Sequence, residues 1–285
     1  MNSEKKYDID DLLEEVVTLP SLPRTLANLT ELIKKPDCSL VEVARIIAVD
    51  PSLAIKTLRL VNSAYYGVGQ EVTTIEHAVV LLGLKVIRNL ALTATVFDTL
   101  KSGAERFLRH SIACGVAMRV LAENGPLASH VGSADEAFVY GLLHDVGKVI
   151  LAEGIGEAYA KTPGIMREQH LAWYQAEREA IGVDHAQVGS ALAQNWKLSP
   201  MISHGIAGHH DLRHCPPDMR KIAATLCVAD YLCSVAGIAS HDNPIFQIPE
   251  ETWSFAAIDK ESLPAVIRTF FQSFPLSAEL VRVAG

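Results

Sequence analysis

Residues 141–153 read GLLHDVGKVILAE, and the interpretation of the whole chain starts from this stretch. A His-Asp pair, His144 and Asp145, stands between apolar runs, and Lys148 follows three residues later. Adjacent residues on an α-helix point about 100° apart, so both side chains can reach one point only at a helix end or a bend. Gly147 offers such a bend. The stretch alone also fits a helix-terminal histidine beside a solvated aspartate and a solvated lysine.

Composition narrows the classes of protein to which the chain can belong. Its 285 residues are 49% hydrophobic and 20% charged, with a formal net charge of −8, which suits one large or two small globular domains. An acidic chain repels phosphate backbones and anionic lipid, so neither nucleic acid nor a membrane is expected as a partner. The five cysteines are odd in number and lack CxxC spacing, which indicates reduced thiols in the cytoplasm. The N-terminus has no apolar signal core.

Helical patterns dominate and strand-like alternation is nearly absent, so the predicted fold class is all-α. Capping boxes, and caps that precede a proline, mark the starts of helices. The predicted starts are Ser39–Glu42, Asp50-Pro51, Thr73–Glu76, Ser133–Glu136, Asp184–Gln187 and Ser199-Pro200, and the predicted stops are Gly67, Gly125-Pro126 and Pro163-Gly164.

A division of the chain near residue 100 is predicted. Residues 8–98 contain about five predicted helices and one histidine, His77, whereas the other ten histidines follow residue 100. The segment Lys101-Ser102-Gly103 is the soft joint between the two parts. We therefore expect an N-terminal helical subdomain over residues 1–100, packed on a helical domain over residues 101–285.

Five separate segments of the chain deliver imidazole or carboxylate side chains. These are His110, the pair His144-Asp145, His185, the pair His209-His210, and Asp230. His110 and Asp230 fall on apolar helical faces, where an unpaired carboxylate costs on the order of several kcal/mol. Each segment has a plainer explanation: a core histidine bonded to backbone, an arginine or a cap for Asp230, and surface exposure for the paired histidines. One shared divalent cation explains all five segments together.

The residue types of this set indicate which metals suit it. Mixed nitrogen and oxygen ligands suit Fe, Mn, Co, Ni or Zn, as one ion or two. The absence of cysteine ligands argues against a structural zinc site. A site of this kind can activate water against a phosphoryl group, and Lys148, one turn from His144, could then hold a phosphate oxygen.

The order His110, His144-Asp145, Asp230 resembles the H…HD…D signature of the HD superfamily of metal-dependent phosphohydrolases. The chain is more similar to one branch of it, the HDOD (HD-related output domain) family, over about residues 15–235. The motifs that carry this resemblance are DPSLAIKTLRLVNSAYYG (50–67), TTIEHAVVLLGLKVIRNLAL (73–92), GLLHDVGKVIL (141–151), GVDHAQVGSALAQNW (182–196) and the His-His-Asp at 209–211.

The resemblance implies an N-terminal helical subdomain packed on an HD-like helical core. It also implies a bacterial signal-transduction output or scaffold protein, with protein partners and little or no hydrolysis. The metal positions that it implies are His110, His144, Asp145, His185, His209, His210 and Asp230, and the catalytic positions are Lys148 and Asp145. A site without bound metal is compatible with the same resemblance. The related HD-GYP branch continues its paired histidines with acidic and Gly-Tyr-Pro residues, whereas DLRHCPPDMR follows His210 here, so hydrolysis of cyclic di-GMP is not expected.

Two functions stay open at this point, and a third is weaker. The first is a signalling interaction protein whose metal is structural or sensory. The second is a metal-dependent phosphohydrolase that acts on a nucleotide or a related phosphoester. The third, a nucleic-acid binder, is opposed by the net charge. The motif NSAYYG at 62–67 also has two interpretations: a surface for a partner or ligand, or a helix C-cap with packed tyrosines.

Overall fold

The structure, a computed structural model, describes residues 6–7, 9, 12, 24–33, 35, 38–98, 105–124, 133–241, 247–259 and 261–277. None of these residues lies in a strand, and the prediction of an all-α fold is confirmed. In chain order the helices are α1 (Arg24–Ile33), α2 (Leu40–Ala48), α3 (Pro51–Val61), α4 (Ile75–Asp98), α5 (Glu105–Asn124), α6 (Ala134–Leu143), α7 (Val146–Gly154), α8 (Gly156–Tyr159), α9 (Thr162–Gln169), α10 (Trp173–Ile181), α11 (His185–Asn195), α12 (Pro200–Gly208), α13 (Arg220–Val235), α14 (Glu250–Ala256) and α15 (Leu263–Ser273). Within the described part of the chain, no helix has both the length and the apolar character that a membrane span requires.

Contacts between residues divide the chain into two compact units. Unit 1 comprises Met1–Leu19 and Leu143–Ile258, and unit 2 comprises Pro20–Leu142 and Asp259–Gly285. Helix α5, which the sequence placed after the division near residue 100, therefore groups with the N-terminal helices. The predicted joint at 101–103 lies outside the described residues. The assignment of domains to 1–100 and 101–285 stays a prediction.

Helices α2 and α3 of unit 2 begin at the caps predicted for them. The Ser39 hydroxyl accepts the Glu42 N–H at 3.1 Å, and the Glu42 carboxylate accepts the Ser39 N–H at 3.2 Å. At the start of α3, the Asp50 carboxylate accepts the Leu53 N–H at 3.1 Å, and Pro51 is in the first turn. These caps satisfy backbone N–H groups that a helix leaves unpaired at its start.

The motif NSAYYG at 62–67 closes α3 differently from the prediction. The helix ends at Val61, and the Asn62 amide both donates to the Val72 carbonyl and accepts the Val72 N–H, each at 2.7 Å. Gly67 has a φ of 58°, which favours glycine, but it lies in the turn that follows and not at the helix end. The prediction that Gly67 caps the helix is therefore wrong, and Asn62 joins the end of α3 to the segment before α4.

Two other predicted helix boundaries are corrected by the structure. Thr74, and not Thr73, caps α4, because its hydroxyl lies 3.2 Å from the His77 nitrogen. Pro163 was predicted to end a helix, but it lies in the first turn of α9. A proline there lacks only an N–H that has no partner within the helix, so the same residue can signal a start as well as a stop. The stop predicted at Gly125-Pro126 lies outside the described residues.

Unit 1 surrounds the His-Asp stretch with helices. Helix α11 packs against α7 and against α12, and α12 packs against α13. Gly147 on α7 permits the first contact, since a Cβ at this position would collide with the His185 carbonyl and lie 2.8 Å from the Gly189 nitrogen. Helix α11 begins at the predicted Asp184–Gln187 start, where the structure has a capping box with the Asp184 carboxylate 2.8 Å from the Gln187 nitrogen. His185 is therefore fixed in the first turn of a helix that lies against the His-Asp stretch.

Candidate metal centre

His144 and Asp145 occupy the turn that leads into α7, so the bend lies at the pair itself and not at Gly147. The two residues are 0% and 1% exposed. The Asp145 Oδ2 accepts a hydrogen bond from the Lys148 ammonium at 2.6 Å and one from the Ser240 hydroxyl at 3.2 Å. The Asp145 Oδ1 lies 3.5 Å from the His144 Nε2. The carboxylate is thus held through one oxygen and presents the other to the neighbouring histidines.

His185 is oriented by Glu177, a buried residue of α10. The Glu177 Oε2 lies 2.6 Å from the His185 Nδ1 and accepts the His185 backbone N–H at 2.9 Å. The Glu177 Oε1 accepts from the Tyr159 hydroxyl at 2.7 Å and from the Trp173 indole N–H at 2.8 Å. Because an ionised carboxylate can only accept, the His185 Nδ1 carries a proton. The His185 Nε2 then faces Asp145, whose Oδ1 is 3.1 Å away.

The paired histidines follow the end of α12 and have different partners. The His209 Nδ1 lies 2.6 Å from the Ile206 carbonyl, which can only accept, so this nitrogen carries the proton. The His209 Nε2 is buried and has no hydrogen-bond partner among the described residues. The His210 Nε2 lies 3.0 Å from the His185 Nε2, and the His210 ring stacks on Tyr174. Two ring nitrogens at this distance need a proton or another cation between them, because their lone pairs would otherwise repel.

Six of the predicted site residues fall into two groups within unit 1. Asp145, His185, His209 and His210, which we call the Asp145 cluster, offer ligand atoms that all lie within 4.8 Å of one another. His144 and Asp230 offer ligand atoms within the same 4.8 Å of each other. The two groups are adjacent, since the His144 and His209 ring centroids are 5.3 Å apart. The structure therefore brings these predicted residues together, and their assignment as metal ligands stays a prediction.

Carboxylates dominate the electrostatics of this region. Burial lowers the pKa of His185, but the charges of Glu177 and Asp145 outweigh it, and the pKa rises to about 9. Burial also acts to lower the pKa of Lys148, whereas Asp145, Glu177 and Asp230 raise it, and the net pKa is above its ordinary value. Both raised pKa values mean that the surroundings favour positive charge.

The two paired histidines respond in the opposite direction. Burial, together with the neighbouring imidazoles of His144 and His185, lowers the pKa of His209 to about 3. Burial and the adjacent His209 also hold the pKa of His210 well below its usual range. Neutral imidazoles keep a ring lone pair, which is the form in which histidine binds a metal ion.

Lys148 is not the solvated lysine that one interpretation of the sequence allowed. Its side chain is 9% exposed and forms an ion pair with Asp145, and its Nζ also lies 3.1 Å from the Ser240 Oγ. The interpretation of the paired histidines as surface residues is wrong for His209, which is 1% exposed. A contact between Lys148 and a phosphate group stays a prediction.

His110 lies on α5 in unit 2. It is 2% exposed, and its Nε2 is 3.7 Å from the Cys114 sulfur. Its predicted place among ligands of unit 1 depends on the arrangement of the two units and stays a prediction.

Three residues around the site were missed by sequence reasoning: Glu177, Ser240 and His241. Glu177 had a usable signal, because its helix buries Trp173 and two alanines on the same face, which is the pattern that singled out Asp230. Ser240 and His241 had none, since they lie in a stretch without periodicity. His241 stacks on Trp173 with ring centroids 3.9 Å apart, and its Nδ1 lies 3.1 Å from the Ser240 Oγ.

Comparison with known proteins gives a family match and a curated relative. A profile described as the HDOD domain matches residues 19–212. An uncharacterized protein of Treponema pallidum (strain Nichols) is 27% identical over 274 residues, which are 96% of this chain and 52% of the relative. The chain thus spans about half the length of the curated relative that it matches.

Solved structures from three bacteria share the fold. A Shewanella amazonensis SB2B protein, whose name assigns it provisionally to the phosphohydrolases, is 25% identical with a TM-score of 0.76, over 96% of this chain and 98% of its own. An HDOD domain protein of unknown function from Geobacter sulfurreducens is 24% identical with a TM-score of 0.70, over 97% of each chain. A Marinobacter aquaeolei VT8 protein, named provisionally for signal transduction, is 19% identical with a TM-score of 0.79, over 96% of this chain and 61% of its own. The last two likenesses concern the fold alone.

Proposed function

Since this chain belongs to the HDOD family, we propose that it is a signal-transduction output or scaffold protein. In this proposal it binds a divalent metal ion at the Asp145 cluster and hydrolyses phosphoesters little or not at all. Its partners are other signalling proteins.

One observation carries the metal-binding part of the proposal: the buried His209 Nε2, which has no hydrogen-bond partner among the described residues, next to an Asp145 oxygen and two further imidazoles. A buried polar atom without a partner costs on the order of 1–3 kcal/mol. A cation at this point would take the His209 lone pair and balance the carboxylate. It would also take the place of the proton between the His185 and His210 nitrogens.

The ligand set of the Asp145 cluster narrows the choice of metal. Three imidazoles and one carboxylate favour Fe, Mn, Co, Ni or Zn over Mg and Ca, which prefer oxygen ligands. When bound, such an ion would supply positive charge, and its ligands would come from the turn before α7, from α11 and from the residues after α12. His144 and Asp230 would be the ligands of a second ion.

Burial of the site supports a structural or sensory metal over a catalytic one. Asp145 and His185 are 1% and 0% exposed, so a phosphoester would have to open the site to reach them. Lys148, the group expected to hold a phosphate, is already bonded to Asp145 and to Ser240. Catalysis would require Lys148 to exchange these partners for the substrate.

A metal-dependent phosphohydrolase is the second candidate, with a nucleotide or a related phosphoester as substrate. The observation that favours it is the ammonium of Lys148 2.6 Å from the Asp145 Oδ2, which places a cation beside the cluster. In this case Asp145 orients the reacting groups, and Lys148 steadies the phosphate after its bond to Ser240 is released. The provisional name of the Shewanella relative points in the same direction.

The five cysteines support a location in the reducing cytoplasm. None of the five, Cys38, Cys114, Cys215, Cys227 and Cys233, forms a disulfide among the described residues. A protein that resides in an oxidising compartment typically pairs its cysteines.

A phosphate-release screen separates the two candidates. The protein, loaded with Mn²⁺ or with Fe²⁺, is incubated with nucleotides and cyclic dinucleotides, and free phosphate or the linear product is measured. We expect no turnover above the protein-free rate. Turnover that is lost in His144→Ala and kept in His204→Ala, a half-buried histidine of α12 outside the cluster, would replace the first candidate by the second.

A further inference from the structure

We propose that Glu177 is a positioning residue for the metal centre: it holds the His185 ring with Nδ1 protonated and Nε2 turned toward Asp145. The inference rests on the proposed function, because it concerns how a ligand of the proposed site is oriented. It goes beyond that function in assigning a role to a residue of α10 that no metal would touch.

Hydrogen bonds hold both oxygens of the Glu177 carboxylate. It is 0% exposed, and its two oxygens face different partners. Oε2 receives the backbone N–H and the Nδ1–H of His185, at 2.9 and 2.6 Å. Oε1 receives the Tyr159 hydroxyl and the Trp173 indole, at 2.7 and 2.8 Å. Each oxygen thus accepts two hydrogen bonds.

The tautomer of His185 is the physical link between Glu177 and the site. A neutral imidazole carries one proton, and only its other nitrogen can bind a metal. Glu177 keeps a proton on Nδ1, so a metal ion has to displace only the proton on Nε2, the nitrogen 3.1 Å from the Asp145 Oδ1 and 3.0 Å from the His210 Nε2. A carboxylate that accepts from the far nitrogen of a ligating histidine also makes the near nitrogen a stronger ligand. Without this acceptor the proton could move to Nε2 and block the ligand position.

The two oxygens of Glu177 allow the positioning role to be separated from a purely structural one. Tyr159→Phe removes a hydrogen bond at Oε1 and leaves the contact with His185 intact. Glu177→Gln keeps the size of the side chain but removes its charge and replaces one acceptor by a donor. Both variants disturb the same buried network, so both are expected to lower the unfolding temperature. Only Glu177→Gln changes a side chain that contacts His185.

Titration with Co²⁺ tests the inference. Visible absorption follows binding, and competition with a chelator gives the dissociation constant for the wild type, Glu177→Gln and Tyr159→Phe. Glu179→Gln, an exposed glutamate of the same helix, is the matched control. We expect Glu177→Gln to bind Co²⁺ roughly 10–100-fold more weakly, with an altered absorption spectrum, and the other two variants to match the wild type. If Glu177→Gln binds as the wild type does, the positioning role is overturned and the metal site stands. If the wild type does not bind Co²⁺, the proposed function falls, and this inference falls with it.

A measurement on the wild type covers the case in which Glu177→Gln does not fold. The protein is labelled with ¹⁵N-histidine and loaded with Zn²⁺, and long-range nitrogen–proton NMR spectra report which ring nitrogen of His185 carries the proton. A proton on Nδ1, in slow exchange with water, supports the role of Glu177. A proton on Nε2 contradicts it.

Discussion

The interiors of the two units differ in what they bury. Among the described residues, unit 1 buries seven acidic, basic or histidine side chains: His144, Asp145, Lys148, Glu177, Asp184, His185 and His209. Among the described residues of unit 2, His110 is the one side chain of these types that is buried, and most of the other buried residues of this unit are apolar. A buried charge requires hydrogen-bonding or oppositely charged partners with good geometry, whereas a buried aliphatic side chain requires only a space of suitable size and shape.

The difference indicates where stability and function reside. The interior of unit 2 is stabilised by apolar burial, which many sequences can supply. The interior of unit 1 contains bonds between residues far apart in the chain, such as Ser240 and Asp145, which are separated by 95 positions. Buried ionisable groups with shifted pKa values concentrate at functional sites, which supports the proposal of a metal site in unit 1.

The largest expected effect is that of Lys148→Met. The substitution leaves the Asp145 carboxylate buried without its ammonium partner, which typically costs about 3–5 kcal/mol. Urea denaturation of the chelator-treated protein measures the loss. Added Co²⁺ should restore part of the lost stability, because a cation beside Asp145 replaces the missing charge.

The exposed Lys161 provides the control for this comparison. Lys161→Met should leave the unfolding free energy nearly unchanged, with and without Co²⁺. Equal stability of both variants in the absence of metal would mean that loss of the Lys148–Asp145 ion pair costs less free energy than the burial of Asp145 indicates.

A substitution in the apolar interior should affect stability alone. Leu60, on α3 of unit 2, is 1% exposed, and Leu60→Ala leaves a cavity that costs about 2–5 kcal/mol. Urea denaturation should show this loss, and the dissociation constant for Co²⁺ should stay at its wild-type value. A weaker affinity for Co²⁺ would show that the two interiors do not act separately.

A pair of glycines tests how closely α7 must approach α11. A Cβ at Gly147 would collide with the His185 backbone, whereas a Cβ at Gly164 meets nothing within 4 Å. Gly147→Ala should cost about 1–3 kcal/mol from overpacking and also weaken Co²⁺ binding, since it displaces His185. Gly164→Ala should be neutral or stabilising by about 0.4–1 kcal/mol. Thermal unfolding and Co²⁺ titration of both variants check this, and the reverse order of stabilities would refute it.

The smallest expected effect concerns two helix caps. The Ser39 hydroxyl accepts a backbone N–H of α2, whereas the Ser199 side chain makes no such bond at the start of α12. Ser39→Ala should therefore cost about 1 kcal/mol, and Ser199→Ala close to nothing. Thermal unfolding resolves the difference, and equal losses would show that the hydrogen bond to the Ser39 hydroxyl does not account for the stability of the cap.

Local signals in the sequence predicted much of the fold. The caps at Ser39, Asp50 and Asp184 were correct, because a cap is formed within one turn of chain. Pro163 was assigned to the wrong end of a helix, because proline is compatible with either end. A prediction from a single residue fails where that residue type is common at both the start and the end of a helix.

The candidate site was predictable only in part. The histidines and Asp145 were found because their types and order resemble a family, and the structure brings His185, His209 and His210 close to Asp145. The apolar face that Glu177 shares with Trp173 was a usable signal that was overlooked, but its contacts with Tyr159 and His185 could not be read from any local pattern. A bend near the His-Asp pair was predicted, but it was assigned to Gly147. The structure places the turn at His144–Asp145 itself, and Gly147 allows the close packing of α7 against α11.

Metal analysis of protein purified without chelator is the decisive test of metal binding at the Asp145 cluster. Wild type, His209→Ala and His204→Ala are expressed in medium supplied with Fe, Mn, Co, Ni and Zn, and bound metal is measured per chain by elemental analysis. We expect at least stoichiometric divalent metal in the wild type and in His204→Ala, and a large loss in His209→Ala, since His209 is buried in the cluster and His204 is outside it. A wild-type protein free of metal, or equal metal in all three proteins, would contradict it.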